Sequence, residues 1–216
     1  MRCFETKQCI PGGQINGRGS MGTTPVHDAA RSGFVAVLEW LVARRGNLQM
    51  TDHLGASALH LVAEYGHPLT GRWLLQHGVA AEALDKRGWT PAMIAASAGH
   101  IDVLAALMEF GVDMSMLSQS AGVGALHVAC QAGRLDVVRW LVTIANVSAN
   151  GSAPGREGLE PVHLAAFAGH LEVVQVLEVL GADLERRDLN GANVLQIVTK
   201  RGHRRLIKWL AERVRS

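Results

Sequence analysis

The stretch Thr24-Pro25-Val26-His27-Asp28-Ala29 decides the fold, because the frame that contains its histidine recurs along the chain. The positions equivalent to His27 are separated by 33, 33, 34, 36 and 33 residues and are occupied by His60, Met93, His127, His163 and Gln196. A glycine lies five residues before each position, at Gly22, Gly55, Gly88, Gly122, Gly158 and Gly191. A second glycine lies six residues after each position, at Gly33, Gly66, Gly99, Gly133, Gly169 and Gly202. The chain is therefore one structural unit copied six times.

Each copy is predicted to contain two short helices. Thr24 supplies an N-cap oxygen and Pro25 a preset φ at the first helical position, so a helix begins there. Gly33 allows the left-handed backbone that ends it. The first helix therefore has about two turns and needs packing to be stable. The second helix carries an aliphatic stripe at helical spacing, for example Val35, Leu38, Leu41 and Val42.

The period near 33 residues and the Thr-Pro-x-His-x-Ala start resemble the ankyrin repeat. The resemblance covers residues 22–216. It implies an all-α repeat solenoid, in which stacked helix-turn-helix units carry β-hairpin finger loops. The expected repeats are residues 22–54, 55–87, 88–121, 122–157, 158–190 and 191–216. Residues 1–21 are rich in glycine and polar residues and are predicted to form a flexible N-terminal arm.

The composition is that of a globular protein, with 48% apolar and 19% charged residues. No apolar run approaches the roughly 20 residues of a membrane-spanning helix. Residues 1–20 lack the apolar region of a signal peptide, so an intracellular location is expected, cytoplasmic in the first place and nuclear as the alternative. The three cysteines, Cys3, Cys9 and Cys130, are too few and too scattered for a disulfide framework or a zinc cluster.

Sequence signals that could suggest catalysis have simpler explanations. Gly17-Arg-Gly19-Ser-Met-Gly22 matches the dinucleotide-binding pattern, but it follows no predicted strand and opens no βαβ unit. Four of the ten histidines occupy the repeated position, where hydrogen bonds to the finger and the helix start are expected. No Ser-His-Asp, Cys-His or paired-carboxylate set is predicted to converge. We predict no catalytic residue, no metal site and no cofactor.

The family resemblance implies a non-enzymatic protein-protein interaction module that binds a partner protein in a concave groove lined by fingers and first helices. The family's variable positions supply the candidate protein-binding residues, which are Glu64, Tyr65, Lys86, Arg87, Trp89, Ser97, Val123, Gln131, Leu159, Phe167, Lys200 and Arg201. The same positions in the first two repeats are occupied by Arg31, Ser32, His53, Leu54 and Ala56.

Two aromatic residues are predicted to anchor the partner. Trp89 precedes Thr90 at the tip of the third finger, and Tyr65 ends the preceding first helix. Protein interfaces draw much of their binding energy from Trp and Tyr, so this pair is expected to form one anchor site. The alternative is that each ring packs against its own chain.

Positive charge is concentrated at the C-terminal end. From Ala182 onward there are nine basic and four acidic residues, a net charge of +5, and the total of +2 leaves −3 for the remainder. One interpretation is a solvated terminal cap, and the other is a docking site for an acidic protein segment or anionic lipid. Nucleic acid is not an expected partner, because no aromatic residues interleave with these charges.

Two further functions stay open. The chain could be a regulatory subunit or substrate adaptor that recruits a client to an enzyme on another chain. Catalysis by the N-terminal arm and first repeat would require a cofactor site that the sequence does not contain.

The second helix of the second repeat is predicted to be the weakest. It carries Gly71 where the other repeats have aliphatic residues such as Leu38 and Leu104. Glycine inside a helix is about 1 kcal/mol less favourable than alanine. Replacement of Gly71 by alanine is therefore expected to raise thermal stability.

Overall fold

The computed structural model describes residues 14–118, 122–151 and 158–213. These ranges contain twelve helices: α1 (Pro25–Arg31), α2 (Val35–Val42), α3 (Ala58–Tyr65), α4 (Pro68–Gln76), α5 (Pro91–Ala98), α6 (Ile101–Glu109), α7 (Ala125–Gln131), α8 (Leu135–Thr143), α9 (Pro161–Ala168), α10 (Leu171–Val179), α11 (Val194–Arg201) and α12 (Arg204–Arg213). Across these same ranges, β-structure is limited to isolated bridges that join Thr51 to Ser57 and Leu117 to Gly124. The predicted all-α repeat fold is confirmed, with fingers that are turns more than hairpins.

The chain divides into two compact units. Unit 1 comprises residues 1–95 with 102–112, and unit 2 comprises residues 96–101 with 113–216. In unit 1, α1 packs against α2 and α3, and α3 packs against α4. In unit 2, α7 packs against α8 and α9, α9 against α10 and α11, and α11 against α12. The first helices α1, α3, α7, α9 and α11 thus each contact their own second helix and a neighbouring first helix.

Two of the glycines that follow the first helices, Gly33 and Gly169, are required for both their backbone conformation and their lack of a side chain. Gly169 closes α9 with a φ of +83°, a conformation that other residues rarely adopt. A Cβ on this glycine would also lie 2.7 Å from Cε1 of the His203 ring. Gly33 has the same relationship to the ring of His67. At Gly33 and Gly169 the repeated glycine therefore provides both the turn and the space for an imidazole from the following repeat.

Small and aliphatic residues build the core. Ala29 and Ala30 of α1 are 0% exposed, which lets neighbouring first helices approach closely. The two leucines of the aliphatic stripe of α2 are equally buried, since Leu38 and Leu41 are at most 1% exposed. Among the helices of the described ranges, none is long and apolar enough to cross a membrane.

Residues 14–21 lie against the first repeat. The Asn16 amide group donates to the carbonyl of Arg45 (3.1 Å) and accepts from the Asn47 amide (2.8 Å). The Arg18 guanidinium donates to the carbonyl of Thr51 (2.8 Å). Side-chain hydrogen bonds therefore connect Asn16 and Arg18 of the predicted arm to the first repeat. Residues 1–13 of that arm lie outside the described residues.

Gly71 lies within α4 and is buried. A Cβ at this position would lie 3.2 Å from Cγ1 of Val62, a residue that is 0% exposed. The expected gain in helix propensity is therefore opposed by a tight contact that the sequence did not reveal.

Candidate functional site

An aspartate shapes the turn of several fingers. Oδ1 of Asp52 accepts hydrogen bonds from the amides of Leu54 (2.8 Å) and Ala56 (2.9 Å). Asp85 and Asp188 hold their own fingers in the same way. Because a short side chain fixes each turn, the residues around it have a defined position before any partner binds.

Where the repeated position is histidine, its ring joins the first helix to the next finger. Nδ1 of His60 accepts from the backbone N–H of Ser57 (3.1 Å), so the ring proton lies on Nε2, which donates to the carbonyl of Trp89 (3.2 Å). Equivalent bonds run from His27 to Ala56 (3.1 Å) and from His163 to the Arg186 carbonyl (2.9 Å). These rings are structural connectors, as the sequence predicted.

Burial favours the neutral form of two of these rings. It lowers the pKa of His27 and of His60, and the backbone hydrogen bonds to the next finger oppose this effect without overcoming it. Neutral imidazole suits the connector, because Nδ1 must stay unprotonated to accept the backbone N–H.

Unit 1 exposes the predicted aromatic pair. The Tyr65 ring is 47% exposed at the end of α3, with the Arg31 guanidinium 5.8 Å from its centroid. Trp89 is half-buried, and the Arg87 guanidinium lies 4.9 Å from its ring centroid. The exposed Glu64 and Lys86 flank these rings along the chain. We call Glu64, Tyr65, Lys86, Arg87 and Trp89 the aromatic surface.

A buried carboxylate orders this finger. The Asp85 side chain is 2% exposed and forms an ion pair of 2.8 Å with Arg87, which is 65% exposed. Burial alone would raise the pKa of Asp85, but hydrogen bonds from Trp89 and Arg87 outweigh it and hold the pKa below its usual value. The finger therefore presents Arg87 beside the Trp89 ring in a preorganised position.

Four predicted residues come together in unit 2. Leu159, Phe167, Lys200 and Arg201 line one pocket of about 300 Å³ between the finger at 188–192 and α11. Phe167 is 45% exposed, and Cζ of Arg201 lies 3.3 Å from the centroid of its ring. We call this the arginine pocket.

The remaining predicted residues have other surroundings. The Ser97 carbonyl accepts from Nε of Arg134 (2.8 Å), and the Gln131 carbonyl accepts from His170 (3.2 Å). The expectation for Val123 needs correction, because this residue is 1% exposed and belongs to the core. Its finger is one residue longer, since the amide of Ser118 bonds to the carbonyl of Val123 where Asp52 bonds to Ala56.

The protein-binding residues predicted from the sequence do not include the position two residues before the finger glycine of the last repeat. Leu189 occupies this position and is 77% exposed, and its Cγ would lie 3.0 Å from a Cβ on Gly158. Lys86 has the same relationship to Gly55. Counting back from the repeated glycine would have identified Leu189 as a finger residue.

The basic C-terminal cap contains several ion pairs. Arg205 pairs with Glu172 (3.2 Å), Arg213 with Glu178 (2.5 Å), and Lys208 lies 3.9 Å from Glu212. The net positive charge of this region is therefore partly compensated in place.

Glu160 is a buried carboxylate at the N-cap of α9. Its side chain is 2% exposed, one oxygen pairs with Arg186 (2.7 Å), and the other oxygen has no hydrogen-bond partner. Burial raises its pKa, although Arg186 and His163 act in the opposite direction. Among the described residues, no group of three or more His, Cys, Asp or Glu side chains could hold a metal ion.

Comparisons with known proteins follow the same repeats. A family model described as ankyrin repeats in 3 copies matches residues 26–118 and 106–188. The chain is 28% identical over 172 residues to the nuclear factor NF-kappa-B p105 subunit of Gallus gallus, across 78% of this chain and 17% of that protein. It is 32% identical over 142 residues to ankyrin repeat protein nuc-2 of Neurospora crassa, across 65% and 13% of the two chains.

A third relative is matched over a larger share of its length. The chain is 27% identical over 199 residues to the probable E3 ubiquitin-protein ligase XBOS32 of Oryza sativa subsp. japonica, across 79% of this chain and 40% of that protein. The chain thus spans less than half the length of each of these three relatives.

Proposed function

Because the chain belongs to the ankyrin repeat family, we propose that it is a non-enzymatic module that binds a partner protein through its fingers and first helices. The aromatic surface carries this proposal. The Tyr65 ring is exposed and the Trp89 ring is half-buried, and each ring has a guanidinium nearby. The finger that bears Trp89 is held to α3 by His60. A rigid surface rich in Trp, Tyr and Arg is typical of protein-binding hot spots.

The double substitution Tyr65→Ala and Trp89→Ala tests the proposal. It is expected to weaken the principal interaction by about thirtyfold or more, because truncation of a hot-spot residue commonly costs 2 kcal/mol or more. Partners retained from extracts of the native source are quantified by mass spectrometry. Phe110→Ala is the matched control, since Phe110 is a 41% exposed aromatic residue of the same unit outside the aromatic surface. Equal retention by both variants, with unchanged circular dichroism melts, contradicts the proposal.

A role as regulatory subunit or substrate adaptor is the second candidate. The observation that favours it is the presence of two separate surfaces, the aromatic surface in unit 1 and the arginine pocket in unit 2. One chain with two surfaces can contact a client and an enzyme at the same time. Substitutions in the two surfaces are then expected to remove different proteins from the retained set. Loss of the same protein from both variants contradicts the adaptor role.

An acidic partner at the basic C-terminal end is a further part of the proposal. Because Arg205 and Arg213 of α12 already form ion pairs, we expect the acidic partner to contact residues outside α12. Lys200 and Arg201 at the end of α11 are exposed and line the arginine pocket, which supports contact there.

A further inference from the structure

The arginine pocket combines an apolar wall with cations. Leu159, Phe167 and Ile197 supply the apolar side chains, and Lys200 and Arg201 lie on the wall formed by α11. Its volume of about 300 Å³ is at the lower end of the range for ligand sites. A pocket of this size accommodates one apolar side chain and the backbone next to it.

Arg201 is held in a particular orientation. Its Cζ lies 3.3 Å from the centroid of the Phe167 ring, a separation at which the guanidinium must lie nearly flat on the ring. Flat stacking leaves the N–H groups pointing outward in the plane of the guanidinium. This geometry suits two parallel hydrogen bonds to a carboxylate, with little loss of side-chain entropy.

The charges around the pocket favour an acidic ligand. Two cations, Lys200 and Arg201, face one carboxylate, Asp188. Asp188 is already used within its finger, where Oδ1 accepts from the amides of Asn190 (2.9 Å) and Ala192 (2.8 Å). Among the described residues, neither Lys200 nor Arg201 forms a salt bridge with a carboxylate.

We propose that the arginine pocket binds an extended acidic peptide segment of a partner protein. One aliphatic or aromatic side chain of the segment packs against Phe167 and Ile197, and a neighbouring Asp or Glu pairs with Arg201, with Lys200 adding charge. This inference rests on the proposed protein-binding function and specifies the chemistry of the segment that is bound.

The experiment uses the whole chain and a display library of random 12-residue peptides. Selection is expected to enrich Asp or Glu within about two residues of Leu, Ile, Phe or Trp. The best peptide is then synthesised, and its affinity is measured by fluorescence anisotropy. Phe167→Ala and Arg201→Glu are each expected to reduce affinity at least about tenfold, Arg201→Lys less, and replacement of the peptide's acidic residues by amides as much as Arg201→Glu.

Arg205→Glu is the matched control, because Arg205 is an exposed arginine that pairs with Glu172 on α10. It is expected to change affinity less than about twofold. Lys200→Glu provides a second test should either pocket variant alter the circular dichroism melt. The inference is overturned if the selection yields no binding peptide or yields basic peptides. It is also overturned if the affinity of the selected peptides is unchanged by Phe167→Ala, Arg201→Glu and Lys200→Glu. The proposed function is tested separately, because the variant Tyr65→Ala and Trp89→Ala would still lose protein partners if only the inference about the arginine pocket were wrong. The failure of the inference and the failure of the proposed function are therefore distinguishable.

Discussion

At the residue scale, the repeated histidine is valuable for its two different nitrogen atoms. Nδ1 of His60 caps the start of α3 by accepting from Ser57, and Nε2 holds the finger that carries Trp89. Gln196 shows what a single acceptor can do, since its side-chain oxygen accepts from the amide of Asn193 (3.0 Å) at the same position of the last repeat. Glutamine therefore retains the cap bond at this position.

This comparison predicts a graded effect of substitutions at His60. His60→Ala removes both bonds and leaves buried polar groups unpaired, so the free energy of unfolding is expected to fall by about 2 kcal/mol or more. His60→Gln is expected to lose about half as much. Urea denaturation at pH 7.5 measures both. His77→Ala, at an exposed histidine, is expected to change stability by less than about 1 kcal/mol. Equal losses in the glutamine and alanine variants would contradict the two-bond account.

Replacement of Glu160, unlike replacement of His60, is predicted to increase the free energy of unfolding. Burial raises its pKa in the folded state, so the folded protein holds this proton at pH values where the unfolded chain has released it. Its ionisation therefore lowers stability as the pH rises above about 4.5. Glu160→Gln removes this buried charge and is expected to stabilise the protein at pH 7 by about 1 kcal/mol, and by less at pH 4. Loss of the ion pair costs little, because the exposed Arg186 is readily solvated without its partner.

Chemical denaturation at both pH values measures this effect. Glu172→Gln is the control, because Glu172 belongs to an exposed pair with Arg205 that contributes little. A loss of stability at pH 7 in the Glu160 variant would show that the ion pair outweighs the burial of the charge.

At the element scale, local chemistry explains why the helices could be predicted. Caps, prolines and glycines act within a few residues, so the starts and ends of α1 and α9 can be read from the sequence. Exposure depends on neighbours that the sequence does not specify. Val123 and Leu159 both follow a finger glycine, yet Val123 is buried within a longer finger and Leu159 lines the arginine pocket. The expected exposure was therefore wrong for Val123, and a binding role for Leu159 stays a prediction.

Helix α4 shows the same division between local and tertiary effects. Propensity favours alanine at Gly71 by about 1 kcal/mol, but the added Cβ would lie 3.2 Å from Cγ1 of Val62. Gly71→Ala alone is therefore expected to change the unfolding free energy by less than about 1 kcal/mol. In the Val62→Ala background, which removes the crowded methyl group, the same change is expected to stabilise by about 1 kcal/mol.

Thermal and urea unfolding of the two single variants and the double variant form the required cycle. The expected coupling is favourable and on the order of 1 kcal/mol. Additive effects would mean that Val62 moves aside freely and that the contact has no energetic consequence.

At the scale of the whole molecule, two of the histidine connectors have a pKa that burial lowers. These two are His27 and His60, and both lie in unit 1. A neighbour-by-neighbour repeat fold has no distant contacts to compensate for a weakened connector. Mild acid is therefore expected to act on unit 1 through these two rings.

The direction of the acid effect follows from the two pKa values. The unfolded histidines bind protons below about pH 6.5, whereas the folded rings resist protonation, so this contribution to stability is complete above that pH and decreases as the pH falls.

The double variant His27→Gln and His60→Gln removes both rings and is expected to be less stable than the natural chain at pH 7.5. Its disadvantage should shrink steadily between about pH 6.5 and pH 5, because only the natural chain is losing the histidine contribution. Urea denaturation across this range measures the difference, and hydrogen exchange locates the loss in α1 and α3. A difference that stays constant with pH would show that the two histidines bind protons equally in the folded and unfolded chains, and would contradict this account.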